Sequence, residues 1–155
     1  MGSYSFQNVV AGIAGPNGNI QLGAGAGTAE GGISVAMRGD KNTLTVGADG
    51  TGMNSLHADN SGSVTVRLLK TSPINALLMS MYNADKASSI VWGKNVISIR
   101  DFARGDHVTC YGCAFKKAPD LTWDKEGAMV EWTWDATKVE ERLGTGSPAA
   151  VIGGI

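Results

Sequence analysis

Short runs in which apolar and polar residues alternate recur along most of the chain, and this period of two constrains the fold more than any other feature. In a strand successive side chains point to opposite faces, so strict alternation marks a sheet with one face buried. Segment 3–15 puts Phe6, Asn8 and Val10 on one face and Val9, Ala11 and Ile13 on the other. After the Pro-Asn-Gly-Asn turn at 16–19 the strand resumes. Ile33, Val35 and Met37 are expected inward against Ser34, Ala36 and Arg38, and Leu44 and Val46 against Thr43 and Thr45. Val64, Val66 and Leu68 oppose Ser63, Thr65 and Arg67. Segments 95–100, 107–115 and 128–134 complete the set, the last with Val130, Trp132 and Trp134 on one side. Many short alternating runs between turn clusters predict a mainly β, antiparallel barrel or sandwich.

One helix interrupts this pattern, at about 72–84. Ser72 is placed to cap it, Pro73 suits its first turn, and Asn83 and Asp85 supply its stop. Ile74, Leu77, Leu78, Met81 and Tyr82 form its apolar stripe, which packs on the sheets, with Met79 and Met81 as gap-filling core. Segment 137–143 reads as a short helix with Glu140 and Glu141 on a solvated face. Segment 47–62 reads as a long loop, and loops of such length are usually functional or disordered. Residues 1–143 are expected to form a single domain and 144–155 a flexible C-terminal tail.

The stretch "GAGAGTAEGG" at 23–32 invites a phosphate-loop reading, which fails letter by letter. Gly27 to Gly32 has Walker spacing, but Ile33 stands where the lysine must be. The third glycine of a dinucleotide fingerprint would fall on Thr28 or Glu30, and no amphipathic helix follows. No cofactor is expected. Cys110 and Cys113 lie in a strand rather than at a strand–helix junction, which argues against a redox pair. With His107 they are spaced three apart, so on a regular strand they cannot converge on one metal ion. They are read as structural. The two histidines, His57 and His107, sit in no hydrolase-like motif, and no enzyme activity is expected.

Only 17% of residues are charged, against a usual share of roughly 25%. So few charges on a monomer favour self-association, which implies a surface meant to be covered. The net charge of −1 and the scattered Lys/Arg give no basic footprint for tight nucleic-acid binding. The first ten residues lack a signal-type segment, and no run approaches the roughly 20 apolar residues of a membrane span, so a cytoplasm-like compartment is expected.

Taken in order, "LGAGAGTAEGGISVAM", "DKNTLTVGADGTGMNSLHADNSGSVTVRLLKTSPINALLMSMYN", "NVISIRDFARGD" and "AFKKAPDLTWDKEGAMVEWTW" resemble the tail tube proteins of contractile-tailed bacteriophages, from about residue 3 to residue 140. Type VI secretion and pyocin tube proteins are similar. The resemblance implies a small β-barrel or sandwich with one flanking helix, assembled as hexameric rings that stack into a tube within a contractile sheath. It implies as partners further copies of the chain, the sheath, tape measure, baseplate and tail terminator proteins, and viral DNA that passes through the bore without specific binding. It places the protein in the virion, and in the host cytoplasm during assembly.

In such a ring each sheet continues into its neighbour. Gly25, Gly27 and Gly31 then allow close backbone approach between subunits. Met53, Leu56 and His57 in the long segment are the residues expected to reach another subunit or ring, and Val151 and Ile152 in the tail to dock on a neighbour. Two alternatives share the composition. One is a monomeric β-sandwich binding module, of carbohydrate-binding or adhesin type, using Trp92 or Trp123 as a platform; the other is a different tail part such as a terminator.

Overall fold

The computed structural model describes residues 4–5, 8–22, 28–127 and 129–144, the side chains of 28–31 excepted. The described elements are β1 (Val9–Gly15), β2 (Gly18–Gln21), β3 (Thr28–Met37), β4 (Asn42–Val46), β5 (Gly52–Leu56), β6 (Gly62–Leu69), α1 (Ile74–Lys86), β7 (Asn95–Asp101), β8 (Asp106–Phe115), β9 (Met129–Ala136) and β10 (Lys138–Arg142). All strand pairs are antiparallel. The main path runs β2-β1-β7-β8-β9-β6-β3, with β10 added beside β8, and β4-β5 form a separate two-stranded sheet.

Strand β8 joins the two halves. Its first part pairs with β7 and β10, and its last residues, Ala114 and Phe115, pair with Asp135 and Trp134 of β9. The path ends at β2 and β3, so the architecture is an open, sandwich-like fold rather than a closed barrel.

Alternation decides what fills the space between the halves. Ala11 and Ile13 face inward from β1, Val64, Val66 and Leu68 from β6, and Val130, Trp132 and Trp134 from β9. Phe115 sits at their centre, its ring centroid 5.9 Å from Trp132, 5.3 Å from Trp134 and 5.5 Å from Tyr82 of the helix. Such tilted and edge-on pairs add about 0.5–1.5 kcal/mol each beyond simple burial. With Trp132 and Trp134 in the core, neither contributes to a surface platform.

The helix begins after Pro73, already at helical angles, with Ser72 Oγ accepting from Ile74 N–H at 3.3 Å. Its buried face differs from the expected stripe. Leu78 and Met81 are buried as read, but Leu77 is half exposed, and the helix continues past Asn83 to Lys86. Asp85 is therefore no stop signal. It is fully buried, one turn beyond Met81, and accepts from Asn95 Nδ2 at 2.8 Å and Asn17 Nδ2 at 2.5 Å. These amides tie the helix end to the β1–β2 turn and to the start of β7. Asn95 in turn rests against Gly15, where a Cβ would strike its side chain.

Segment 137–143 holds the strand β10 (Lys138–Arg142), not a helix. Val139 pairs with Cys110 and is buried, so tertiary pairing overrides the helix-forming charges around it. The cysteines also depart from strict alternation. Both are fully buried, because Gly112 between them takes φ +61° and the β7–β8 register shifts there. A bulge of this kind returns two residues three apart to the same side. Burial pushes the Cys110 thiol up to about 11 and that of Cys113 up to about 12.

Candidate assembly surfaces

Segment 47–62 holds a strand where a loop was expected. Residues 52–56 fold back on 42–46, with Val46 opposite Gly52 and Asn42 opposite Leu56. The connection is tight: Gly47 and Thr51 bond through their backbones at 2.8 Å, Asp49 Oδ1 accepts from Thr51 N–H, and Gly50 takes φ +88°. That Asp-Gly pair between alternating runs is the sequence signal for a hairpin, and it was there to be read.

The hairpin leaves the body where Arg38 N–H bonds to Ser61 C=O. Its base is pinned by Lys41 Nζ, which donates to His57 C=O and Asn60 Oδ1, and by Thr43 Oγ1 against His57 Nε2. Beyond that base it covers nothing. Leu44, Val46 and Met53 are 58–60% exposed and Leu56 is 85% exposed. Leu44 and Val46 are thus not core residues, because their strand pairs only with β5. The register sorts these side chains. Leu44, Val46 and Leu56 share one face with Asn42, Gly52 and Asn54, while Met53 shares the other with Thr43, Thr45, Ser55 and His57. Met53 and Leu56, read together from the sequence, point in opposite directions.

An isolated two-stranded hairpin is marginal in water. One with three large apolar side chains on one face needs a cover. Open edges are the second feature that needs one: β2 and β3 end the main path, and among the described residues neither has a strand beside its outer edge. Gly31 lies in β3, beside Gly32 at φ +52°, where the pairing with β6 shifts. Gly25, Gly27, Val151 and Ile152 lie outside the described residues.

The outer faces of the two halves carry different chemistry. On β3, β6 and β9 the charges cancel across strands, Arg67 with Glu131 at 2.9 Å and Arg38 with Asp135 at 3.2 Å, among Ser34, Ser63, Thr65 and Thr133. Elsewhere Trp123 stands 78% exposed with Lys70 Nζ 4.7 Å above its ring, and Trp92 lies edge-on to Tyr82 at 6.3 Å. The two tryptophans belong to different contacts and build no shared platform.

Among the described residues no group of His, Cys, Asp and Glu could hold a metal ion, and no helix is long and apolar enough to cross a membrane. His107 bonds within hydrogen-bond reach of Thr109 on the outer face, away from the buried cysteines.

An open antiparallel β-sandwich with one helix, free strand ends to its path and an exposed apolar hairpin defines the class of fold. Within that class the family is plain. The chain belongs to the bacteriophage PhiTE tail tube protein family, which matches residues 1–144. It is a structural tail component of the virion.

Solved structures of contractile injection systems share the fold. A chain of the anti-feeding prophage cap, the tube-terminating cap, is 13% identical with TM-score 0.57 over 93% of both chains. A chain of the extended PVC sheath–tube complex is 13% identical with TM-score 0.57, covering 91% of this chain and 92% of that one. A chain of the extended PVC sheath/tube terminator is 12% identical with TM-score 0.56, covering 92% and 98%. No curated protein matches the chain in sequence.

Proposed function

We propose that the protein forms hexameric rings that stack into the tail tube, with a contractile sheath outside and viral DNA passing down the bore at ejection. The observation that carries this reading is the β4–β5 hairpin, whose apolar face has no cover among the described residues. A neighbouring copy supplies that cover: Leu44, Val46 and Leu56 seat on one subunit, and Met53 and His57, on the opposite face, approach another.

Open edges β2 and β3 pair between neighbours, which continues the sheet around the ring. Gly25, Gly27 and Gly31 allow the backbones to approach there, and Val151 and Ile152 dock from the C-terminal tail that follows a single domain of residues 1–143. The β3–β6–β9 face suits a bore. Its arginines, Arg38 and Arg67, are already paired, which leaves sliding phosphates fewer cations to bind among the described residues. The tape measure protein fills that bore before ejection, and baseplate and terminator proteins close the ends. Assembly takes place in the host cytoplasm.

Electron microscopy of the purified chain, with sedimentation over a range of concentrations, tests this. Uniform hollow tubes or six-membered rings are expected. A chain that stays monomeric at high concentration, without rings even beside its assembly partners, defeats the proposal and favours a monomeric binding module.

A further inference from the structure

The turn between β1 and β2 holds the end of the helix through a side chain that can alter itself. Asn17 is the only asparagine of the chain followed by glycine. It lies at that turn, where Gly15 stands opposite Gly18. Asn17 and Gly18 are both exposed, Gly18 takes φ +131°, and a Cβ there would meet no described residue within 4 Å. The amide of Asn17 nevertheless reaches a buried group. Its Nδ2 donates to Oδ1 of the fully buried Asp85 at 2.5 Å, while Asn95 Nδ2 donates to Oδ2 at 2.8 Å.

An asparagine side chain is open to attack by the backbone nitrogen of the next residue, which makes it one of the thermally labile residues. Glycine shields that nitrogen least, because it has no Cβ. Elsewhere the chain offers less. Asn54 and Asn60 are exposed but precede Ser55 and Ser61, Asn75 and Asn83 lie within the helix, and the others precede Val, Ile or Thr.

We infer that Asn17 is a self-modification site of the single chain, its amide converted to a carboxyl group by its own backbone and water. The bond between Gly18 N and Asn17 Cγ forms as the Cγ–Nδ2 bond breaks. The Gly18 amide proton leaves with Nδ2 as ammonia, and a succinimide ring remains. Water then adds to either ring carbonyl, and no electrons are exchanged with a partner. One opening restores the backbone with an aspartyl side chain. The other routes the backbone through the side chain and lengthens the turn by one carbon.

The position gives the reaction a consequence. Asp85 loses one of its two amide donors and faces another carboxyl group instead, an acceptor against an acceptor. Two carboxyl groups so close cannot both ionise without a penalty. The modified turn therefore comes away from the end of the helix. The inference stands apart from tube formation, since it needs only the described residues of one subunit and water.

Incubation of the full chain, held unassembled at low concentration in warm, mildly alkaline heavy-oxygen water, reads the reaction by peptide mass spectrometry. Heavy oxygen should enter at Asn17 several times faster than at Asn60, and the melting temperature should fall as it does. Asn17→Asp, made directly, should melt at least about 3 °C below wild type. It should also melt below Asn17→Ala, which removes the donor without adding a carboxyl group. In an Asp85→Asn background the Asn17→Asp change should cost little, because no carboxyl group faces the new one. Asn17→Gln should show no drift in melting temperature on the same incubation. Label that enters Asn60 as fast as Asn17, or equal drift in Asn17→Gln, overturns the inference. So does an Asn17→Asp variant no less stable than Asn17→Ala, or one that costs as much in the Asp85→Asn background.

Discussion

Replacing Leu44 and Leu56 together by aspartate separates assembly from folding. Both lie on the apolar face of the β4–β5 hairpin, 60% and 85% exposed, so most of their area is still open to water in the single chain. Fully burying a leucine is worth about 1.5–3 kcal/mol, and scaling by the exposed fractions leaves about 2–4 kcal/mol for the pair on assembly. That corresponds to about 30-fold to 1,000-fold in the association constant of every subunit contact. Aspartate adds the cost of desolvating a charge, and the loss recurs at each contact along a polymer. The subunit itself should hardly notice, because the hairpin packs on no core residue that these side chains cover. Circular dichroism should show an unchanged β signal and melting temperature, while sedimentation and electron microscopy show no tubes. Met53→Asp alone probes the opposite face and should weaken assembly independently. Tubes of normal length from the double variant refute the reasoning. So does a melting temperature lowered by several degrees, since each kcal/mol shifts a chain of this size by about 2–4 °C and the residues would then be covering their own subunit.

The remaining expectations concern the interior. Asp85→Ala leaves the fully buried Asn95 amide without its acceptor, at about 1–3 kcal/mol, and should lower the melting temperature by about 3–10 °C, with Asp85→Asn recovering much of the loss. Gly112→Ala places a side chain at φ +61° against Thr137, which is itself bonded to Tyr111 C=O; about 1–2 kcal/mol of backbone strain plus the clash should lower the melting temperature by at least a few degrees. The thiols of Cys110 and Cys113, raised from an ordinary 9.0 to about 11 and about 12, should resist iodoacetamide at pH 8 until the protein unfolds. Because the folded state holds these protons more tightly, their contribution to stability is complete below about pH 9 and is lost as pH rises toward 11–12, so denaturant midpoints should fall over that window and less so in a Cys110→Ser, Cys113→Ser variant.

What could be read from the sequence follows a physical division. Val64, Val66, Leu68, Val130, Trp132 and Trp134 were legible because a strand with one dry face writes its burial into a period of two. The hairpin was half legible. Its apolar residues were visible, but Leu44 and Val46 have the same alternation as a core strand, and only the partner strand shows that they cover nothing. Asp85 was illegible for another reason: its amides come from Asn17 and Asn95, distant in sequence, and a carboxylate near a helix end ordinarily faces water. The strand at 138–142 and the inward turn of both cysteines likewise depend on pairing with β8 and on the single left-handed Gly112.

Strand register also decides what the few charges of this chain meet. Arginines occur on both outer faces, and composition treats them alike. Beside β3, β6 and β9, Arg67 meets Glu131 across one strand spacing and Arg38, just past β3, reaches Asp135 across β6, so the field they cast beyond the sheet is that of short dipoles. On β7 Arg100 stands over the ring of Phe102, and on β10 Arg142 shares its face with Glu140, which Lys138 holds at 2.9 Å, so a screened field beyond about a Debye length, roughly 8–10 Å in physiological salt, is small on this face as well. A face whose charges are paired in this way gives a moving polyanion little to stick to. Strand pairing, rather than the amount of charge, therefore decides which cations meet a carboxylate on each face of the sandwich.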